Sequence, residues 1–164
     1  MEYICVGKIV NTHGIKGEVR IISDFEYKEV IFKNGKRVFV GKNKTELIIN
    51  TYRVHKNYDM IIFDGFSDIN NVLNFKGEYV YIDRKDYVFD KPINEDIIGM
   101  KVYNNEIYIG DVSEILKSPA HKILVISNND KKNMIPFIDE FIDKIDLDNK
   151  MIKIKIIKGL LDED

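Results

Sequence analysis

Apolar and polar positions alternate in short runs along most of this chain. Residues 3–10 and 18–22 read as two strands, followed by 38–40, 46–53, 60–63 and 78–83. In the last of these, Tyr79 and Tyr81 fall on one side and Val80 and Ile82 on the other. Turn residues separate the runs at Asn34-Gly35-Lys36, Gly41-Lys42-Asn43-Lys44 and Lys56-Asn57-Tyr58-Asp59. Turns this closely spaced predict a sandwich or barrel of short strands. One helix interrupts the pattern. Ser67 or Asp68 can cap it, Ile69, Val72 and Leu73 share a face, and Gly77 can stop it. A polar stretch at Asp90-Lys91-Pro92-Ile93-Asn94 reads as a linker. Beyond it, residues 101–103, 106–112, 123–127, 131–136 and 151–157 are strand candidates. Residues 135–145 are ambiguous. Their apolar positions 135, 138, 142 and 145 have helical spacing, but Pro136 and the neighbouring strands allow a short helical turn at most.

Composition agrees with strands. Ile, Val, Tyr, Phe and Thr number 28, 13, 9, 9 and 3, against 1 Ala, 7 Leu and no Gln. The 164 residues predict a mainly all-β protein in two parts, with domains at 1–90 and 95–164 and a linker at 91–94. No stretch between charged residues exceeds seven residues, so no segment reads as a membrane span. Glu2 and Lys8 in the opening residues do not fit a secretory signal. The single cysteine, Cys5, excludes a disulfide framework and predicts a reducing, intracellular location. Set between Ile4 and Val6, it reads as a small core residue.

The formal net charge is −2, but it is unevenly spread. Residues 28–44 carry Lys28, Lys33, Lys36, Arg37, Lys42 and Lys44 against Glu29 alone, the one local basic concentration. Such a run is commonly a solvated face, yet it also suits RNA phosphates. Phe32 and Phe39 lie among these cations and are expected in the core rather than against bases. Gly14-Ile15-Lys16-Gly17 joins two strands. That placement excludes the helix-joining clamp of a KH module, and the spacing fits neither a P-loop nor a dinucleotide fingerprint. Both glycines suit a tight connection, beside which Lys16 and Arg20 offer a phosphate two cations. His13, His55 and His121 show no metal-ligand spacing, and the acidic group Asp139, Glu140, Asp143, Asp146 and Asp148 fits no EF-hand. No acid–base pair, activated nucleophile or cofactor loop is visible, so the residues alone describe a binding protein.

The ordered motifs add a family. Val6-Gly7-Lys8-Ile9-Val10 followed by His13-Gly14-Ile15-Lys16-Gly17-Glu18-Val19-Arg20 resembles the opening of the ribosome maturation factor RimM family. Phe63-Asp64-Gly65-Phe66-Ser67-Asp68, Phe75-Lys76-Gly77 and Asp96-Ile97-Ile98-Gly99-Met100-Lys101-Val102 continue the resemblance in order. So do Gly110-Asp111-Val112, Met134-Ile135-Pro136-Phe137-Ile138, Ile145-Asp146 and Gly159-Leu160-Leu161. The resemblance implies an elongation-factor-like N-terminal barrel followed by a PRC barrel. It also implies a monomeric, cytoplasmic, non-enzymatic factor that needs no cofactor. Its implied partners are the small ribosomal subunit, small-subunit rRNA and the head ribosomal protein numbered nineteen, met chiefly by the second domain.

His13, Lys16, Arg20, Lys36 and Arg37 are the candidate subunit-binding residues, and Gly14, Gly17, Gly99, Pro136, Phe137 and Gly159 are structural. Two departures stand out. Pro92 and Ile93 occupy the positions of a Tyr-Tyr pair common in the family, and Lys122 follows His121 where an acidic or polar residue is usual. A PRC-barrel adaptor unrelated to the ribosome is the alternative. It would share the second half but would not need the 14–20 opening.

Overall fold

The computed structural model describes residues 1–155, which form two compact units, Met1–Asp90 and the chain from Lys91 onward. The first unit holds β1 (Tyr3–His13), β2 (Glu18–Ile22), α1 (Lys28–Ile31), β3 (Arg37–Val40), β4 (Thr45–His55), β5 (Tyr58–Phe63), α2 (Ile69–Val72) and β6 (Tyr79–Asp83). Its strands close into a barrel in the order β1-β2-β5-β4-β3-β6, every pair antiparallel. Closure leaves no edge strand. Alternation places Ile9, Val19, Ile21, Ile61, Val80 and Ile82 inside, each with no exposed surface.

The predicted strands are present, most of them longer than the apolar runs that announced them; of the last, 151–157, the strand is seen over Met151–Ile154, and 156–157 lie outside the described residues. The predicted helix is shorter: one turn of α2, then a 3-10 turn over Leu73–Phe75. Asp68 caps it, accepting a hydrogen bond from the Asn70 N–H at 2.8 Å. The four-residue helix α1 carries Ile31 and is followed by Phe32, both fully buried. No long apolar period marks α1 in the sequence, because one turn is too short to show one. Lys28 of α1 pairs with the buried Asp59 at 3.0 Å, and Tyr52 donates its hydroxyl proton to the other Asp59 oxygen. Phe39 is buried too, but through its pairing with Tyr81 it lies on the outer wall, beneath the Tyr3 ring and the Arg37 guanidinium. Cys5 corrects the expectation of a core thiol. It pairs with Tyr81 on the outer wall and is exposed, because the inward positions beside it are taken by Ile4 and Val6.

The second unit holds α3 (Asn94–Ile97), β7 (Lys101–Asn104), β8 (Ile107–Lys117), β9 (Lys122–Asn128), β10 (Lys131–Pro136), β11 (Ile142–Asp146) and β12 (Met151–Ile154). They form one sheet in the order β10-β9-β8-β7-β12-β11, with β7 and β12 parallel. Ile135 of β10 and Ile142 and Ile145 of β11 come from opposite edges yet pack on the same core as Val102, Leu124 and Ile152. The sheet therefore curls around its apolar side. The helical spacing of 135, 138, 142 and 145 arises from two strands and the turn between them, not from a helix. Pro136 closes β10, and Phe137 packs against the core. Gly99 has φ +89, the left-handed conformation that only glycine adopts cheaply, and its N–H donates to the Val112 carbonyl. Gly159 lies outside the described residues.

The predicted linker is partly structured. Ile93 is fully buried, its N–H donates to Asp96 at 3.0 Å, and Asn94 opens α3. Of the two positions matched to the family's aromatic pair, one is thus buried. The second departure also has a structural partner: Lys122 Nζ donates to the Asn94 side chain at 2.6 Å.

Candidate nucleic-acid interface

Residues directly opposite in a ladder share a face. The β1–β2 register sets His13 opposite Glu18, and Arg20 lies opposite Met60, which lies opposite Arg53. His55 lies opposite Tyr58. These residues share the outer wall of β1-β2-β5-β4. Side chains from four strands meet here. The His13 and His55 ring centroids are 5.9 Å apart. Arg20 donates from its guanidinium to His13 Nδ1 at 2.8 Å and lies over the Tyr58 ring at 5.5 Å. Its Nε is buried and makes no hydrogen bond. Arg53 grips Glu18 with two hydrogen bonds of 2.7 and 2.9 Å. Those bonds hold the Glu18 carboxyl below its ordinary range, against the opposing effect of burial, and the nearby His13 and His55 act in the same direction as Arg53.

A shallow cavity of about 380 Å³ opens between His13, the loop, Glu18, Arg53 and Ile62. Lys16 sits exposed on its rim and makes no ion pair among the described residues. The loop itself is held from below. The Ile69 N–H donates to the Ile15 carbonyl at 3.0 Å, and Gly17 at φ +82 has its backbone against the Phe66 carbonyl oxygen, where a β-carbon would collide. Gly14 also has positive φ, +68, but faces open space. The two glycines therefore do different work: Gly14 turns the chain, and Gly17 lets it approach the segment before α2.

The basic segment is arranged otherwise. Arg37 contacts Asp86 at 2.7 Å, Glu46 at 2.9 Å and Asp83 at 3.3 Å. The bonds to Asp86 and Glu46 push the guanidinium pKa up still further, so its charge is permanent but internally matched. Lys36 is exposed, with its ammonium 5.6 Å from the Tyr87 ring centre. The structure thus gathers His13, Lys16 and Arg20 in one place, joined by His55 and Arg53, which the sequence did not single out. It sets Lys36 and Arg37 in another and separates their roles. A signal for His55 existed only in the strand order, since β4 and β2 both flank β5.

The arrangement suits oxyanion binding better than chemistry: cations and imidazoles line an open wall. Among the described residues, no group of three or more His, Cys, Asp or Glu side chains is placed to hold a metal ion. Asp146 of the acidic group accepts hydrogen bonds from the Asn149 side chain and backbone. None of the helices among the described residues is long and apolar enough to cross a membrane.

Comparison with known proteins agrees across the chain. The RimM N-terminal domain model matches residues 4–87, and the RimM PRC barrel domain model matches residues 94–160. A ribosome maturation factor RimM of Finegoldia magna is 41% identical over 98% of this chain and 100% of its own length. One from Oceanobacillus iheyensis is 40% identical, with 96% of each chain covered. One from Staphylococcus epidermidis is 37% identical over 96% of this chain and 98% of its own. Two domain matches in order, and full-length relatives well above 30% identity, place this chain in the RimM family.

Proposed function

We propose that the protein is a ribosome maturation factor that binds the immature small ribosomal subunit and assists maturation of its head region and rRNA. One observation carries this reading: relatives bearing that name align over nearly the entire chain, through both units. The factor works by binding rather than catalysis, stabilising one arrangement of its target over others, and needs no cofactor. It acts as a monomer in the cytoplasm. The first unit contacts rRNA phosphates through His13, Lys16 and Arg20, with Lys36 as a further contact. The exposed Lys16 on the rim of the cavity and the Arg20 guanidinium beside His13 support that assignment. Arg37 braces the barrel beside them. The second unit contacts the head ribosomal protein numbered nineteen.

Fractionation of cell extract with the tagged protein tests the reading. The protein should travel with free small subunits and be absent from assembled ribosomes. Sedimentation with neither, or with assembled ribosomes only, would refute it.

A further inference from the structure

The opposite wall of the first barrel carries a feature that the interface above does not use. In the β1–β6 and β3–β6 ladders, Phe39, Tyr81 and Cys5 lie in one row, and Tyr79 lies opposite Lys8 in a neighbouring row. Tyr3 leans over this surface, edge-on to Phe39 at 5.0 Å and to Tyr81 at 6.5 Å. Tyr79 and Tyr3 are 49% and 40% exposed, large for aromatic rings on a closed barrel. Two ammonium groups sit over the rings. Lys44 is 4.1 Å from the Tyr81 centroid and 5.6 Å from that of Tyr3, and Lys8 is 5.4 Å from that of Tyr79. Asp83, the acid at the end of β6, is already engaged by the Glu2 N–H and Arg37.

We propose that this tyrosine–lysine wall of β1, β3 and β6 is a second contact surface, for unpaired RNA. It extends the reading of the protein as an RNA-contacting factor and rests on that reading. An unpaired base presents the flat face that an exposed tyrosine can stack on, whereas a duplex keeps its base faces covered. Lysine stems are long enough to swing from ring to phosphate, so Lys8 and Lys44 can hold the backbone while Tyr79 and Tyr81 take bases. Lys8 and Lys44 set two ammonium groups on the rings themselves, which favours a polyanion, while Glu78, a nearby acid with no ion pair among the described residues, lies against Gly41 at the edge of the wall.

Fluorescence anisotropy with a labelled twelve-nucleotide oligouridylate tests the surface in the full-length protein. Tyr79→Leu with Tyr81→Leu should weaken binding about tenfold and leave the salt slope unchanged. Tyr79→Phe with Tyr81→Phe should bind as the parent does. Lys8→Ala with Lys44→Ala should flatten the salt slope. If the double leucine variant unfolds, Tyr79→Leu alone supplies the test, since Tyr79 is half exposed. Leucine variants that bind within twofold of the parent overturn the proposal, as does a parent that does not bind the oligonucleotide. A parent that joins small subunits without binding the oligonucleotide overturns the wall but leaves the proposed function intact. Leucine variants that lose subunit association while keeping oligonucleotide affinity also overturn it, because the wall would then meet protein.

Discussion

Two cationic neighbourhoods of the first barrel differ in a way that their charge counts conceal. Residues 28–44 hold six cations against one acid in sequence, yet much of that charge is spent inside the fold. Lys28 serves the buried Asp59, and Arg37 serves three carboxylates. The 13–20 loop holds only Lys16 and Arg20. Lys16 has no acid among the described residues, and Arg20 donates to the His13 ring rather than to a carboxylate. Formal charge along a chain therefore differs from charge available to a partner. What separates them is whether the fold brings a carboxylate from elsewhere, and for Arg37 it brings Asp83 from the end of β6 and Asp86 from just beyond it.

The largest effects should come from the backbone of the loop. Gly17→Val places a β-carbon against the Phe66 carbonyl in a left-handed conformation and should cost about 2–4 kcal/mol of stability. Gly14→Ala keeps the unfavourable φ but meets no neighbour, and should cost roughly 1 kcal/mol. Chemical denaturation of both variants checks the order; equal losses would mean that Gly17 is a turn residue only.

Arg37→Ala comes next. It leaves Glu46, Asp83 and Asp86 facing one another unneutralised, so the melting temperature should fall by several degrees. Thermal melting against Lys36→Ala, which should melt like the parent, isolates the network.

Glu18 offers a smaller, pH-dependent effect. Arg53 holds its folded pKa below the ordinary value of 4.5. A depressed folded pKa adds stability that is complete above the unfolded value and is lost as pH falls through the folded one. The parent should therefore lose stability toward acid more steeply than Glu18→Gln. Matching acid limbs in denaturation from pH 6 to pH 3 would show that the pair is too exposed to matter. The smallest effect is expected from Lys16→Ala, whose stability should stay within about 0.5 kcal/mol of the parent.

Much of the fold was legible because its period is short. Alternation in 79–82 sends Val80 and Ile82 inward and the tyrosines outward, as read from the chain. Local turn residues fixed the hairpins. Three features were hidden for physical reasons. The 135–145 spacing mimicked a helix because strands at the two opposite edges of the sheet feed one core. Cys5 looked buried among apolar neighbours because a single position does not reveal which face of a strand it occupies. Two of the three partners of Arg37, Asp83 and Asp86, lie 46 and 49 residues away and are brought in by the β3–β6 pairing. The candidate site was half visible: the loop and its cations belong to one contiguous motif, whereas His55 and Arg53 reach it through the β2-β5-β4 order.

The distinction between available and matched charge is tested most directly by the salt dependence of association with immature small subunits, measured for the parent, Lys16→Ala and Arg37→Ala. Lys16→Ala should bind more weakly and lower the log–log salt slope by about one, with parental melting. Arg37→Ala should keep the parental slope while melting earlier. A flattened slope for Arg37→Ala together with an unchanged one for Lys16→Ala would contradict the account, and would place the RNA contact in the basic segment after all.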